Sequence, residues 1–288
     1  MKIIEAECLH AGGAVLGEGP YWDGAELWYV DIERGEIHRF NPTTRIDQKW
    51  SLPHRIGFAV PSTRGGWIVG SEVGLGRFDP ATGLVTPMAH PEQDQPGNRF
   101  NDAKCDPAGR LWAGTMALNE APERGSLYRV NGDWTITRQV ERISISNGLG
   151  WSPDGRTLYY VDSPTHRVDA FDFADGEISR RRPVVTLTDG FPDGLCVDAA
   201  GNLWIALWGG WGVACHDPRT GERLAFVRVP VSAVTSCCFG EGDELFITCA
   251  GRDLDASGRM EQPLAGGIFR ARVGVTAPPG EPRKFQES

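Results

Sequence analysis

The chain has 288 residues, a formal charge of −9, and 37 Gly, 20 Pro and 10 Trp spread from end to end. The acidic balance and the lack of any Lys/Arg cluster exclude nucleic acid and an anionic membrane as the partner. The opening MKIIEAECLH lacks the apolar run of a signal peptide, and no stretch approaches the ~18 apolar residues that span a bilayer, so the expectation is a cytoplasmic protein.

Taken in chain order, the segment KIIEAECL reads as a strand with no turn partner of its own. After it, one phrase recurs: a turn rich in Asp, Gly and Ala, then an apolar residue, an aromatic and a short strand. It appears as GAELWYVD, RGGWIVGS, AGRLWAGT, DGRTLYYVD, AGNLWIAL and GDELFITC. The marker aromatics are Trp28, Trp67, Trp112, Tyr159, Trp204 and Phe246, spaced by 39, 45, 47, 45 and 42 residues. A period in the forties with strand-like units predicts propeller blades. Each unit continues into a further strand and a polar turn, as in IHRFNPTTR, GRFDPATG, GSLYRVNGD, VDAFDFADG, VACHDPRTG and GGIFRARV.

The expected fold is therefore all-β: one six-bladed propeller with four-stranded blades over residues 1–288. The opening strand pairs with the last blade to close the ring, and about ten C-terminal residues form a tail. The competing architecture, a pair of β-sandwich domains, gives no reason for a sixfold phrase.

In a propeller the first strand of every blade lines the central channel, so equivalent positions converge at one end of the axis. Counting back 10 to 12 residues from the marker aromatics reaches Glu18, Asn101, Asn147 and Asp193. The equivalent positions of units two and six fall near Ile56 and near Val234 or Thr235. Asn147-Gly148 and Asp193-Gly194 also read as turn dipeptides. The turn slot of the repeat, however, lies closer to the aromatic, where DPAGR, SPDGR and DAAGN align, and it holds Asp154 rather than Asp193.

Two carboxylates and two carboxamides converging on one point suit a hard divalent cation, with no His or Cys at that level. An incomplete protein shell leaves room for water or substrate, as a Lewis-acid site requires. Arg99 lies two residues before Asn101 and points the same way on an extended strand, toward the channel mouth. The seven Cys have no CxxC spacing and read as reduced core residues, and the six His are scattered. Trp208 and Trp211 read as packing between blades rather than as site residues. No HExxH, GxSxG, Walker loop or dinucleotide fingerprint occurs.

With these residues in view, the chain resembles the regucalcin/gluconolactonase family, also called senescence marker proteins. The matching phrases are LGEGPYWD, RFNDAKCDPAGRLWAGTM, SNGLGWSPDGRTLYYVD, FPDGLCVDAAGNLWIALWGG and PLAGGIFR, which together cover nearly the whole chain. The resemblance implies a single divalent cation (Ca, Mg, Mn, Zn or Fe) held by Glu18, Asn147 and Asp193, with Asn101 beside it as a ligand or substrate contact. It also implies hydrolysis of sugar lactones, with Arg99 on the sugar hydroxyls and Asp193 as general base. After GTM the best-known animal members carry two acids, whereas this chain has Ala117, Leu118, Asn119 and Glu120, with Asn119 the expected hydrogen-bonding substitute. A calcium-binding regulator and a propeller phosphotriesterase are the alternatives that the same ligand set leaves open. The expected partner is a small sugar lactone, and the expected state a monomer or weak homo-oligomer.

Overall fold

The computed structural model describes residues 1–288. Its strands form six sheets arranged as successive blades, five of them four-stranded and one five-stranded. The innermost strands are Gly17–Trp22, Ile56–Pro61, Asn98–Cys105, Ser146–Trp151, Phe191–Val197 and Val234–Phe239. Each pairs antiparallel with the next strand in sequence, and every marker aromatic lies on that second strand.

The repeat phrase has two physical causes. One is packing between blades: Trp28 of blade one stacks on Trp67 of blade two at 4.1 Å, and Phe246 of blade six stacks on Trp22 of blade one at 5.2 Å. Buried apolar residues accordingly gather into separate clusters, one in each gap between neighbouring blades. The other is a turn lock. Asp23, Asp106 and Asp198 each accept backbone N–H groups of their own turn on one oxygen and the indole N–H of Trp28, Trp112 or Trp204 on the other, at 2.8 to 3.0 Å. The turn is thus tied to the strand it launches.

Ring closure differs in detail from the expectation. Glu7–His10 does pair antiparallel with Ile268–Arg272 and completes blade six. Lys2–Glu5, by contrast, pairs in parallel with Arg223–Arg228 and becomes the fifth strand of blade five. The opening segment therefore straddles two blades.

The residues expected as a C-terminal tail do not hang free. The chain leaves blade six, accepts the Ala199 N–H on Thr276 O at 2.8 Å, and passes Tyr21, whose hydroxyl donates to Pro282 O. It ends against blades two and three, where Phe285 is fully buried and stacks edge-on against Trp134. Phe285 N–H donates to Pro61 O and Gln286 N–H to Gly109 O, so backbone pairing as well as the apolar ring holds the segment. No helix is long and apolar enough to cross a membrane.

Candidate metal centre and catalytic cavity

Every innermost strand carries one shift in its pairing register, and the shift recurs at the same level. It lies between Glu18 and Tyr21, Ile56 and Phe58, Phe100 and Ala103, Ser146 and Leu149, Pro192 and Leu195, and Val234 and Ser236. Bulges re-aim side chains and interrupt the ladder, which is why they recur beside functional sites. Here they lie at or beside Glu18, Asn101, Asn147 and Asp193, and all four side chains line one cavity of about 380 Å³. The count back from the marker aromatics works because both features keep a fixed offset: each of the four lies three residues before the ladder partner of its aromatic.

The glycines after Asn147 and Asp193 are not turn residues. A Cβ on Gly148 would lie 2.6 Å from Asp193 O, and one on Gly194 would collide with Ser236, because the innermost strands abut around the axis. Gly155, which follows Asp154, has φ +67°, the left-handed geometry of a true turn. The two Pro-Asp-Gly tripeptides thus need glycine for different reasons. Asp154 is exposed, and its carboxylate accepts from the Ser152 hydroxyl at 2.6 Å and from Arg156 N–H at 3.1 Å.

A relay of hydrogen bonds fixes the amides. Arg99 Nη1 donates to Phe100 O at 3.0 Å and to Asn101 Oδ1 at 2.5 Å. Asn101 Nδ2 donates to Ser146 O at 2.7 Å and to Asn147 Oδ1 at 2.9 Å. Asn147 Nδ2 donates to Ser163 Oγ at 2.8 Å, and Ser163 in turn donates to Pro192 O at 2.6 Å. The Asn147 oxygen is thereby held toward Asn101 rather than free to flip. Asn101 works as the link between Arg99 and Asn147, its own oxygen engaged by the guanidinium.

Glu18 and Asp193 are both buried, close enough that each carboxyl perturbs the other. Burial, with the nearby charge of Asp102, pushes Glu18 up to about 8. Asp193 is raised well above its ordinary value by burial and then by the charges of Glu18 and Asp102. Burial lowers Arg99 to about 10, offset in part by Glu33 and Glu18. Asp193 Oδ1 is buried and has no hydrogen-bond partner in the chain. Such an orphaned oxygen facing a second carboxylate is costly unless a cation or a proton neutralises it.

The residues present fit a hard divalent cation. Two carboxylates balance its charge, an oriented amide oxygen adds a neutral donor, and no three His, Cys, Asp or Glu converge as an alternative metal-binding group anywhere in the chain.

The upper cavity departs from the sequence expectation. Asn119 does not line it. It is exposed on the loop after Leu111–Ala117, and its side-chain oxygen caps that turn by accepting from Ala121 N–H at 3.2 Å. Its neighbour Glu120, in the left-handed region at φ +56°, is the residue that turns inward. Trp208 also lines the cavity, contrary to its reading as packing alone, while Trp211 is 46% exposed and does not. Arg252 and Asp253, from the loop after Glu244–Cys249, complete the rim. A loop's length gives no register, so only the strand residues could be placed by counting.

Known proteins bear on the same residues. The model of the SMP-30/Gluconolactonase/LRE-like region matches residues 16–251, which include all four channel positions and Arg99. Regucalcin of Sus scrofa is 38% identical over 298 aligned residues, covering 98% of this chain and 99% of the relative. Among solved structures, a calcium-binding regucalcin from Agrobacterium tumefaciens superposes with a TM-score of 0.92 at 29% identity, covering 100% of this chain and 99% of that one. A luciferin-regenerating enzyme superposes at 0.87 with 31% identity, covering 96% of each chain. The chain therefore belongs to the SMP-30/gluconolactonase/LRE-like family.

Proposed function

We propose that the protein is a metal-dependent lactonase that opens aldono-1,4- or 1,5-lactones to aldonic acids. The observation that carries this reading is the buried pair Glu18 and Asp193 with the orphaned Asp193 Oδ1, at the floor of a cavity that also holds Arg99. Glu18, Asn147 and Asp193 are the residues that would hold the ion, with Asn101 orienting Asn147. A divalent cation bound there supplies Lewis-acid polarisation of the lactone carbonyl and a lowered pKa for water.

The chain's own groups do the rest. Arg99, whose Nη1 donates to Phe100 O and Asn101 Oδ1 rather than to a carboxylate, anchors the sugar hydroxyls. Asp193 takes a proton from the attacking water, a contribution of typically ~10² to 10⁴-fold. Oxygen adds to the carbonyl carbon, the ring C–O bond breaks, and the ring oxygen leaves as a hydroxyl carrying the proton Asp193 returns. Asp193 is preferred over Glu18 as base because Glu18 Oε2 already accepts Gly19 N–H at 2.8 Å, whereas Asp193 Oδ1 has no donor.

Chelated protein refilled with single metals and assayed on a panel of aldonolactones tests this directly. Turnover with at least one metal is expected, together with its loss in Asp193→Asn at unchanged far-UV circular dichroism. No turnover on any lactone with any metal would overturn the reading. A purely calcium-binding role is the second reading, favoured by the all-oxygen donor set. It gains if chelated protein binds Ca²⁺ tightly yet no metal restores hydrolysis.

A further inference from the structure

Glu120 and Arg252 are 132 residues apart and sit on blades three and six, opposite each other across the ring. Their side chains form a direct ion pair, and both line the cavity that holds Glu18 and Asp193. Two loops on opposite blades meet only by reaching across the mouth. The bridge is not an isolated contact. Arg252 Nε also faces Asp253 at 3.2 Å, and its Nη1 lies 3.8 Å from Glu33 of blade one. Glu33 in turn accepts from Arg55 at 2.9 Å, and Arg55 lies 3.6 Å from Glu72 of blade two. The ionic chain thus runs over the mouth and along the side of blades one and two. Facing the ionic chain, the lining contributed by Pro164, Phe191 and Trp208, on blades four and five, is uncharged above Asn147 and Asp193.

The geometry points to Glu120 and Arg252 as specificity-determining residues that restrict the site to lactones of single-ring size. The backbone supports a fixed bridge: Glu120 and Asp253 both hold left-handed φ angles, +56° and +64°, and Glu120 N–H donates to Ala117 O at 2.9 Å. At about 380 Å³ the cavity is near the lower end of the ~300 to 1,000 Å³ common for ligand pockets. A substituent projecting from the ring toward blades one to three meets the bridge, and admitting it breaks the ion pair.

This inference rests on the lactonase reading, and its test separates the two. D-glucono-1,5-lactone and cellobiono-1,5-lactone share the reacting ring, and the second carries an extra glucose. The wild-type protein is expected to favour the smaller lactone in kcat/KM by a wide margin. In the double variant Glu120→Ala/Arg252→Ala that preference shrinks by roughly tenfold, about 1.4 kcal/mol of discrimination. The charge-reversed pair Glu120→Arg/Arg252→Glu restores it, while each reversal alone does not. Equal efficiency of the wild type on both lactones, or a preference unmoved in the double variant, overturns the inference and leaves the lactonase reading standing. If the wild type opens neither lactone, the lactonase reading is decided by the wider panel of aldonolactones and metals, and the bridge is judged from melting temperatures in low salt. Single reversals that destabilise and a double reversal that recovers sustain it; strictly additive losses overturn it.

Discussion

Glu18 is a carboxyl whose surroundings oppose its charge. Burial and Asp102 push it up to about 8, and the neighbouring Asp193 carboxyl is raised as well. An acid with a higher pKa in the fold than in the unfolded chain favours folding in its protonated form. Its contribution is full below the ordinary carboxylate pKa and is lost as pH climbs through about 8. Chelator-treated protein is therefore expected to lose stability between pH 5 and pH 8, on the order of 3 kcal/mol, and to recover it when a divalent cation is added at pH 8. Thermal melts across that range check this; a metal-free protein with a flat profile contradicts it. The residues concerned were legible in the sequence because strands keep register: a count from an aromatic finds a channel position. Glu120 was not legible, because one left-handed residue in a loop decides whether Asn119 or Glu120 faces inward.

At the scale of the element, the turn before the second strand carries a recurring device. Asp198 is fully buried and accepts Ala200 N–H and Asn202 N–H on one oxygen and the Trp204 indole on the other. Removing it strands the buried Trp204 indole and two part-buried backbone N–H groups, so Asp198→Ala is expected to cost about 3 kcal/mol. Asp154 lies in the equivalent turn of blade four, where Ser152 holds the position of Asp198; Asp154 is exposed and serves Ser152 and Arg156, so Asp154→Ala costs about 1 kcal/mol or less. Denaturant titrations of the two variants compare them, and equal losses would contradict the turn lock. Composition marks both residues alike as Asp-Gly or Asp-Ala turns. What separates them is the indole N–H five or six residues on, which is readable in the phrase once its partner is known. The register shift in the innermost strand is the less legible feature. It requires a second strand to be out of step with, and a single strand's sequence shows no partner.

At the scale of the whole molecule, the ring is held from both ends of the chain. Glu7–His10 completes blade six while Lys2–Glu5 extends blade five, so the first ten residues staple two blades together. The C-terminal segment clamps the base, with Phe285 fully buried between blades two and three. Phe285→Ala is expected to cost about 3 to 5 kcal/mol, as for other buried Phe truncations. A loss under about 1 kcal/mol in calorimetry would mean that the segment is not integral to the base. The sixfold architecture was legible because a repeat multiplies a weak signal by its copies. The two terminal segments belong to no repeat, and their partners are distant in sequence: Lys2 pairs with Ala225, and the Tyr21 hydroxyl bonds Pro282 O.

The C-terminal segment has one more consequence. Ala277, Pro278, Glu281, Pro282 and Arg283 line the space beneath the channel residues and close it from below. The C-terminal segment thus lies across the lower end of the passage, and the rim beside Phe191 and Trp208 is the doorway for whatever enters and leaves the cavity. On the proposed lactonase reading, a ring-opened acid that lingers there would block the next arrival, and vacating the site would pace turnover together with the chemistry within it.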